Sequence, residues 1–371
     1  MSKLMKKIIK KIPGINKVIY KLDFLQDQYN ALEKRYYELE ERYEKLADKD
    51  RGLDYRIDDV YHEIFLSRKE VEQLYGSLLS NDEYKQAICR WYLRETGRLL
   101  NLKKDQGFNE KIQKLKLIYG NPQYKNYELV SKLCDKYEVR SWIESHIGKE
   151  HLIPLLGKWE SFDEIDFDSL PNQFVLKCNH GSGMNLIVKN KDDIDIKSLR
   201  KLFCEWMSTN YAFYTGFELQ YKNLKPVIIA EKYIEELDGN LFDYKVFCFH
   251  GEPQYILVIG NRDFENHQGR ELVYDFDWNR QEWSFGDYPK FDNDIDKPCV
   301  LQELYEICKK LCSDFEFVRI DFYIVDGKLI FGEMTFTPGS GIFKFNEEYT
   351  EEINLFLGSK LNLDAYQNYY T

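Results

Sequence analysis

No stretch of about 18 consecutive apolar residues occurs in this 371-residue chain, which excludes a hydrophobic membrane-spanning helix. The N-terminus lacks the apolar core of a secretory signal, so the expected location is the cytoplasm. Cysteine is present without pattern: Cys89, Cys134, Cys178, Cys204, Cys248, Cys299, Cys308 and Cys312 show no paired metal spacing. Cys308 and Cys312 share a helix face, but no second pair accompanies them. Reduced, mostly buried thiols are the expectation. Excess positive charge is also missing, since the formal net charge is -11. An acidic body repels nucleic acid and argues against a DNA or RNA partner.

The exception is the first 22 residues, which hold seven lysines (Lys3, Lys6, Lys7, Lys10, Lys11, Lys17, Lys21) and no acid, leaving the rest near -18. Leu4, Met5, Ile8, Ile9 and Ile12 lie between the lysines. The segment reads either as an amphipathic strip on the anionic inner face of a membrane or as a solvated basic tail, hinged at Pro13-Gly14. Beyond it, Leu25, Tyr29, Leu32, Tyr36, Leu39, Tyr43 and Leu46 alternate in steps of four and three. The frame continues through Leu53, Ile57, Val60, Ile64, Val71, Leu74 and Leu78, broken only at Asp50 and Ser67, with no proline inside. This is a heptad seam, a rod of ~80 Å at ~1.5 Å per residue. A lone helix cannot bury so narrow a stripe, so parallel homo-oligomerisation through residues 25–78 is expected. An antiparallel hairpin folded near Gly52 is the alternative.

The chemistry-bearing residues lie in the C-terminal two-thirds. Val318-Arg319-Ile320-Asp321-Phe322-Tyr323, a turn at Asp326-Gly327, then Phe331-Gly332-Glu333-Met334-Thr335 reads as a β-hairpin. A three-residue loop would pair Val325 with Leu329 and set Asp321 opposite Glu333, Cβ atoms ~5 Å apart. A strict two-residue loop would put them on opposite faces, so the longer loop or a compensating bulge is expected. Two carboxylates on a rigid hairpin can hold Mg²⁺. Phe174-Val175-Leu176-Lys177-Cys178 is a short strand that delivers a lysine into the glycine loop His180-Gly181-Ser182-Gly183. Glycines let backbone N–H groups turn toward an anion, although neither P-loop nor dinucleotide spacing is present. Val227 to Tyr233 is an apolar strand carrying Glu231 and Lys232, and Asp243-Tyr244-Lys245 opens another. Lys132, Lys136 and Arg140 stand four apart on one face of an expected helix from Asn126 to Ile147, a face that either approaches the substrate or a phosphate or, as such spacing usually means, is simply solvated.

The order of these pieces resembles the ATP-grasp superfamily, and their wording is similar to its TupA-like branch, over roughly residues 115 to 358. The resemblance implies an α+β fold in which two lobes grip ATP, here preceded by a long coiled-coil helix. It implies that Lys177 meets the nucleotide phosphates and His180, Gly181, Ser182 and Gly183 close over them. Glu231 and Lys232 would meet the adenosine at the hinge, Lys245 would face phosphates or substrate, and Arg319 would bind an acyl phosphate. Asp321 and Glu333 would be Mg²⁺ ligands. Thr335 stands where many such enzymes place Asn, and Phe217 where a charged residue is expected.

These readings divide the chain into a basic segment 1–22, a coiled coil 23–83, a helical connector 84–125 and an ATP-grasp-like catalytic domain 126–371. The expected activity is ATP-dependent, amide-forming ligation through an acyl phosphate. By family analogy a saccharide or uronic-acid substrate of capsular or teichuronic type would be joined to an amine. A sugar kinase or a glycosyltransferase of polysaccharide synthesis is the alternative, and a non-catalytic coiled-coil scaffold ranks below both. For a transferase, the nearest approach to an Asp-x-Asp motif at a strand end is Asp275-Phe276-Asp277.

Overall fold

The computed structural model describes Lys34 and residues 73–214, 216–234, 241–263, 268–345 and 350–370. The basic segment 1–22 lies outside the described residues. So does the heptad segment, except for the helical Lys34 and residues 73–83, and with it the expected oligomer. Two compact units are distinguished: residues up to Tyr84 with Phe213–Thr215, and Lys85–Ala212 with Gly216–Thr371. In the first, the rings of Tyr84 and Phe213 stack at 6.0 Å. The second carries all the candidate site residues.

Four helices lead into that second unit: α1 (Tyr84–Thr96), α2 (Phe108–Tyr119), α3 (Tyr127–Cys134) and α4 (Glu138–Ile147). Residues 84–125 were expected to connect, yet every residue of α2 is buried. Phe108 packs edge-on to Phe317 at 5.3 Å and stacks on Phe343 at 6.2 Å, which makes α2 an internal strut. The single helix expected from Asn126 to Ile147 is two. Asp135 Oδ1 accepts from the backbone N–H of Tyr137 (2.8 Å) and of Glu138 (3.0 Å), satisfying amides at the start of α4 that have no intrahelical acceptor.

Next comes a four-stranded antiparallel sheet of β1 (Leu155–Trp159), β2 (Phe174–Cys178), β3 (Asn185–Val188) and β4 (Ile228–Lys232), in the order β1-β4-β2-β3. Helix α5 (Ile196–Ser208) is capped by the Asp195 side chain. Its Phe203 joins Phe174, Leu176, Cys178, Ile228 and Ala230 in one apolar core. Burying each large side chain contributes about 1.5–3 kcal/mol. Alternation sends Leu176 into this core and leaves Val175 and Lys177 on the other face.

The larger sheet is also fully antiparallel: β5 (Asp243–Phe249), β6 (Glu252–Asp263), β7 (Gln268–Asp275), β8 (Phe317–Val325) and β9 (Lys328–Thr335), in the order β7-β6-β5-β8-β9. Helix α6 (Leu301–Cys312) covers one face with Leu304, Cys308 and Leu311. All seven residues of β5, the central strand between β6 and β8, are buried. Helix α7 (Thr350–Ser359) follows and packs on α2. These are the two α+β lobes that the sequence resemblance implies.

Candidate active site

A cleft of about 790 Å³ lies between the two sheets, lined by Val175, Lys177 and Glu231 of the smaller and Asp243, Lys245, Arg319, Asp321 and Glu333 of the larger. That volume is in the range of sites for small molecules. Period-two alternation sets its polar wall: Asp243 and Lys245 on β5, and Arg319, Asp321 and Tyr323 on β8, fall on one face. Register aligns them, with Lys245 opposite Asp321 and Asp321 opposite Glu333.

The hairpin reaches that register by the second of the two routes foreseen. Val325 pairs with Lys328, so the loop is two residues, not three. Asp326 and Gly327 both have positive φ, 49° and 72°, the backbone of the tight turns that match strand twist. The pairing then shifts between Asp321 and Phe322, whose partners are Glu333 and Phe331. Gly332 is the extra residue of this bulge, and it restores Glu333 to the face of Asp321.

On the larger sheet, Arg319 grips Asp321 with two parallel bonds, Nε to Oδ1 and Nη2 to Oδ2, each 2.7 Å. The same Nη2 donates to Glu333 Oε1 at 2.9 Å and to the Thr335 hydroxyl at 3.1 Å. Lys245 Nζ bridges Asp321 and Asp243, the latter at 2.8 Å, while Lys136 Nζ stands 3.9 Å from Glu333 Oε2. Burial alone would raise the Glu333 carboxyl, but Lys136, Arg319 and Lys245 outweigh it and hold the pKa down at about 2. Asp321 goes the other way: deeper burial raises it, Arg319 and Lys245 oppose, and Asp243 and Glu333 add to the rise.

On the smaller sheet, Glu231 sits between two cations. Arg140 Nη1 donates to Oε1 at 2.7 Å and Lys177 Nζ to Oε2 at 2.6 Å. Expected as an adenosine contact, Glu231 has both oxygens already engaged. Lys136 donates to the Gly181 carbonyl at 2.5 Å, tying the glycine loop to the turn between α3 and α4. Lys136 and Arg140 therefore enter the cleft, the less favoured of the two readings of their spacing, and Lys132 does not line it. The break at Asp135 redirects them. A cap-forming aspartate inside an apparent helix was the signal available in the sequence.

Of the remaining expected residues, Ser182, Gly183 and Lys232 line the cleft. Gly183 has φ of 74°, and a Cβ added to it would meet nothing within 4 Å, an open backbone suited to an anion. His180 is a correction: only 2% exposed, its ring nitrogens lie against the Trp206 carbonyl (3.1 Å) and Asn179 Oδ1 (3.2 Å). Burial lowers its pKa, and it anchors the loop from below. Gly181 is turned inward as well, against Tyr211. Thr335 accepts from Arg319 and is not among the lining residues. Phe217 is buried, and its neighbour Glu218 is met by Thr337 Oγ1 at 2.5 Å. Asp275-Phe276-Asp277, the nearest approach to an Asp-x-Asp motif, does not line the cleft. Asp275 Oδ1 accepts from the backbone of Asp277 (3.0 Å) and Asn279 (2.8 Å), closing a turn outside the cleft.

Sequence reasoning missed Asp243, Asp287 and Tyr288. The last two reach the cleft on the segment after β7. Glu271, fully buried on β7, accepts there from the N–H of Gly286 (2.8 Å) and Tyr288 (3.3 Å).

Asp321 and Glu333 form a hard-oxygen donor pair that fits Mg²⁺, which needs only one or two carboxylates when phosphate and water complete its shell. Among the described residues no cluster of three or more His, Cys, Asp or Glu side chains is arranged for a metal, so such an ion would depend on ligand oxygens.

Two antiparallel sheets facing each other across a charged cleft define the two-lobed class that closes on a nucleotide. The TupA-like ATP-grasp family model matches residues 110–362, more than half of the chain, and the protein belongs to that family of ATP-dependent enzymes. No curated protein sequence matches it. Among solved structures it is similar to D-alanine–D-alanine ligase from Bacillus anthracis, with 16% identity, 65% of this chain and 71% of that one covered, and a TM-score of 0.40. D-cycloserine synthetase DcsG gives 13% identity, 75% and 94% coverage and 0.38. Phosphoribosylamine–glycine ligase from Thermotoga maritima gives 13%, 58% and 51%, and 0.35. Among the described residues no helix is long and apolar enough to cross a membrane.

Proposed function

We propose that the protein is an ATP-dependent carboxylate–amine ligase that forms an amide through an acyl phosphate, acting on a uronic-acid or related acidic saccharide of a surface polymer or its precursor. The observation that carries this reading is the convergence of Lys177, Lys245 and Arg319 with Asp321 and Glu333 in one cleft. A carboxylate oxygen of the acid would attack the γ-phosphorus of ATP, and ADP would leave. The amine nitrogen would then attack the acyl carbon, phosphate would depart, and the nitrogen would give up a proton.

Phosphoryl transfer spreads negative charge over oxygens, so fixed cations supply most of the stabilisation. Lys177 and Lys136, beside the loop Ser182-Gly183, are placed for the phosphates. Glu231 is a positioning residue that holds Lys177 and Arg140 in the cleft until a ligand arrives. Arg319 and Lys245 are placed for the transferred group and the acyl phosphate. Asp321 and Glu333 would hold Mg²⁺, whose bound charge neutralises phosphate oxygens. The loop 180–183 would exclude water from the acyl phosphate. The polymer assignment rests on the TupA-like family, and association of the basic N-terminal segment with an anionic membrane would bring the enzyme to such a substrate.

Hydroxylamine tests the chemistry directly. With ATP, Mg²⁺ and a uronic acid it should yield a hydroxamate together with ADP and phosphate, because only an activated acyl group reacts with it. Phosphate retained on the sugar would make the protein a kinase, and turnover that requires a nucleotide sugar would make it a transferase.

A further inference from the structure

A second cavity, of about 220 Å³, is lined by Lys103, Gln106, Lys111, Lys114, Asp364 and Tyr370 among others, and shares no residue with the catalytic cleft. Two of its lysines are built into the protein: Lys111 is 7% exposed and Lys114 only 2%. Neither makes an ion pair among the described residues. Lys111 Nζ donates to the carbonyls of Gly358 and Leu361, both at 2.8 Å. Lys114 Nζ donates to the Asp105 carbonyl at 2.7 Å and lies 5.3 Å from the centre of the Tyr370 ring. An ammonium has three N–H donors, so one on Lys111 and two on Lys114 remain unspent.

Asp364 is the one carboxylate lining the cavity, against three lysines. Burying a charge is costly, and desolvation lowers the pKa of both lysines even though Asp364 opposes it at Lys111, and Asp105, Asp364 and Glu110 oppose it at Lys114. A bound anion would offset that cost. The cavity is smaller than the ~300–1,000 Å³ typical of drug-sized ligands, which fits a single compact group. With three lysines, an unused set of ammonium N–H donors and the Gln106 amide, we infer that this cavity is a second anion site that takes a phosphate group, free or as a phosphomonoester. It is independent of the ligase reading.

The test is calorimetric titration of the full-length protein with inorganic phosphate. The cleft also attracts phosphate, so Lys177→Ala provides the background. Phosphate binding should persist in Lys177→Ala and weaken about tenfold on that background with Lys103→Glu or with Lys114→Gln, the loss of one charge-assisted contact. ATP affinity of the otherwise wild-type protein should be unchanged by Lys103→Glu. Lys103 is exposed, so its reversal remains informative even if Lys114→Gln does not fold. Glycerol phosphate binding more tightly than phosphate assigns the site to an ester, and equal or weaker binding assigns it to the free ion. Phosphate binding that vanishes with Lys177→Ala, ignores Lys103→Glu, or is matched by acetate overturns the inference.

Discussion

The two walls of the cleft hold their charge differently. On the smaller sheet one carboxylate, Glu231, serves two cations, and Lys177 keeps 24% of its side chain exposed. On the larger sheet Arg319 and Asp321 are 12% and 3% exposed and form one network with Lys245, Asp243, Glu333 and Thr335. The first wall has two cations for one carboxylate, so a lysine that turns to an arriving anion leaves Glu231 still paired with Arg140. The second is a closed network in which each member is needed to keep another's charge buried. Binding and stability should therefore separate between the walls.

The largest effect is expected from Arg319→Ala. It strips Asp321 of its bidentate partner, and breaking a buried pair typically costs about 3–5 kcal/mol. Thermal melting should fall sharply and turnover by ~10³-fold. Arg319→Lys should recover little of either, because an ammonium cannot reproduce the fork. Lys177→Ala should sharpen the contrast, reducing ATP turnover by about 10²–10³-fold with a melting temperature close to that of the parent. Equal melting losses in the two variants would remove the distinction between the walls.

Gly332→Ala tests how the acid pair is aligned. A Cβ there would lie 3.1 Å from the backbone oxygen of Asp321, so the backbone must give by a few tenths of an ångström at the bulge. A loss of about 1–3 kcal/mol and a turnover loss larger than that of Gly327→Asn are expected. Both substitutions leave the charges in place.

The smallest effect is in acid stability. The Glu333 carboxyl is held at about 2 against an ordinary 4.5, so its folded pKa is depressed. Its contribution is present above 4.5 and is lost as pH falls toward 2. Glu333→Gln should therefore flatten the decline in the urea midpoint between pH 4.5 and pH 2. An unchanged slope would show that Glu333 is not held by Lys136, Arg319 and Lys245.

Much of this was legible in the sequence because it is local. Alternation along two strands and the Asp326-Gly327 turn placed Asp321, Glu333 and Arg319 on one face, and Leu176 between Val175 and Lys177 set the lysine outward. The bulge at Gly332 could be named only as an alternative to a longer loop, since both give the same facing pair. What escaped depends on contacts distant in the chain. His180 looks like any loop residue until the Trp206 carbonyl is found against its ring. Arg140 looks solvated until Glu231 arrives 91 residues later. Nor does the sequence show that Lys111, Lys114 and Lys116 of α2 are buried.

Glu271 leaves one more consequence. By clasping the amides of Gly286 and Tyr288 from an outer strand, it fastens the rim that carries Asp287 and Tyr288 to a part of the sheet remote from Asp321. Asp287 and Tyr288 can be exchanged without touching a ladder bond of β5, β8 or β9.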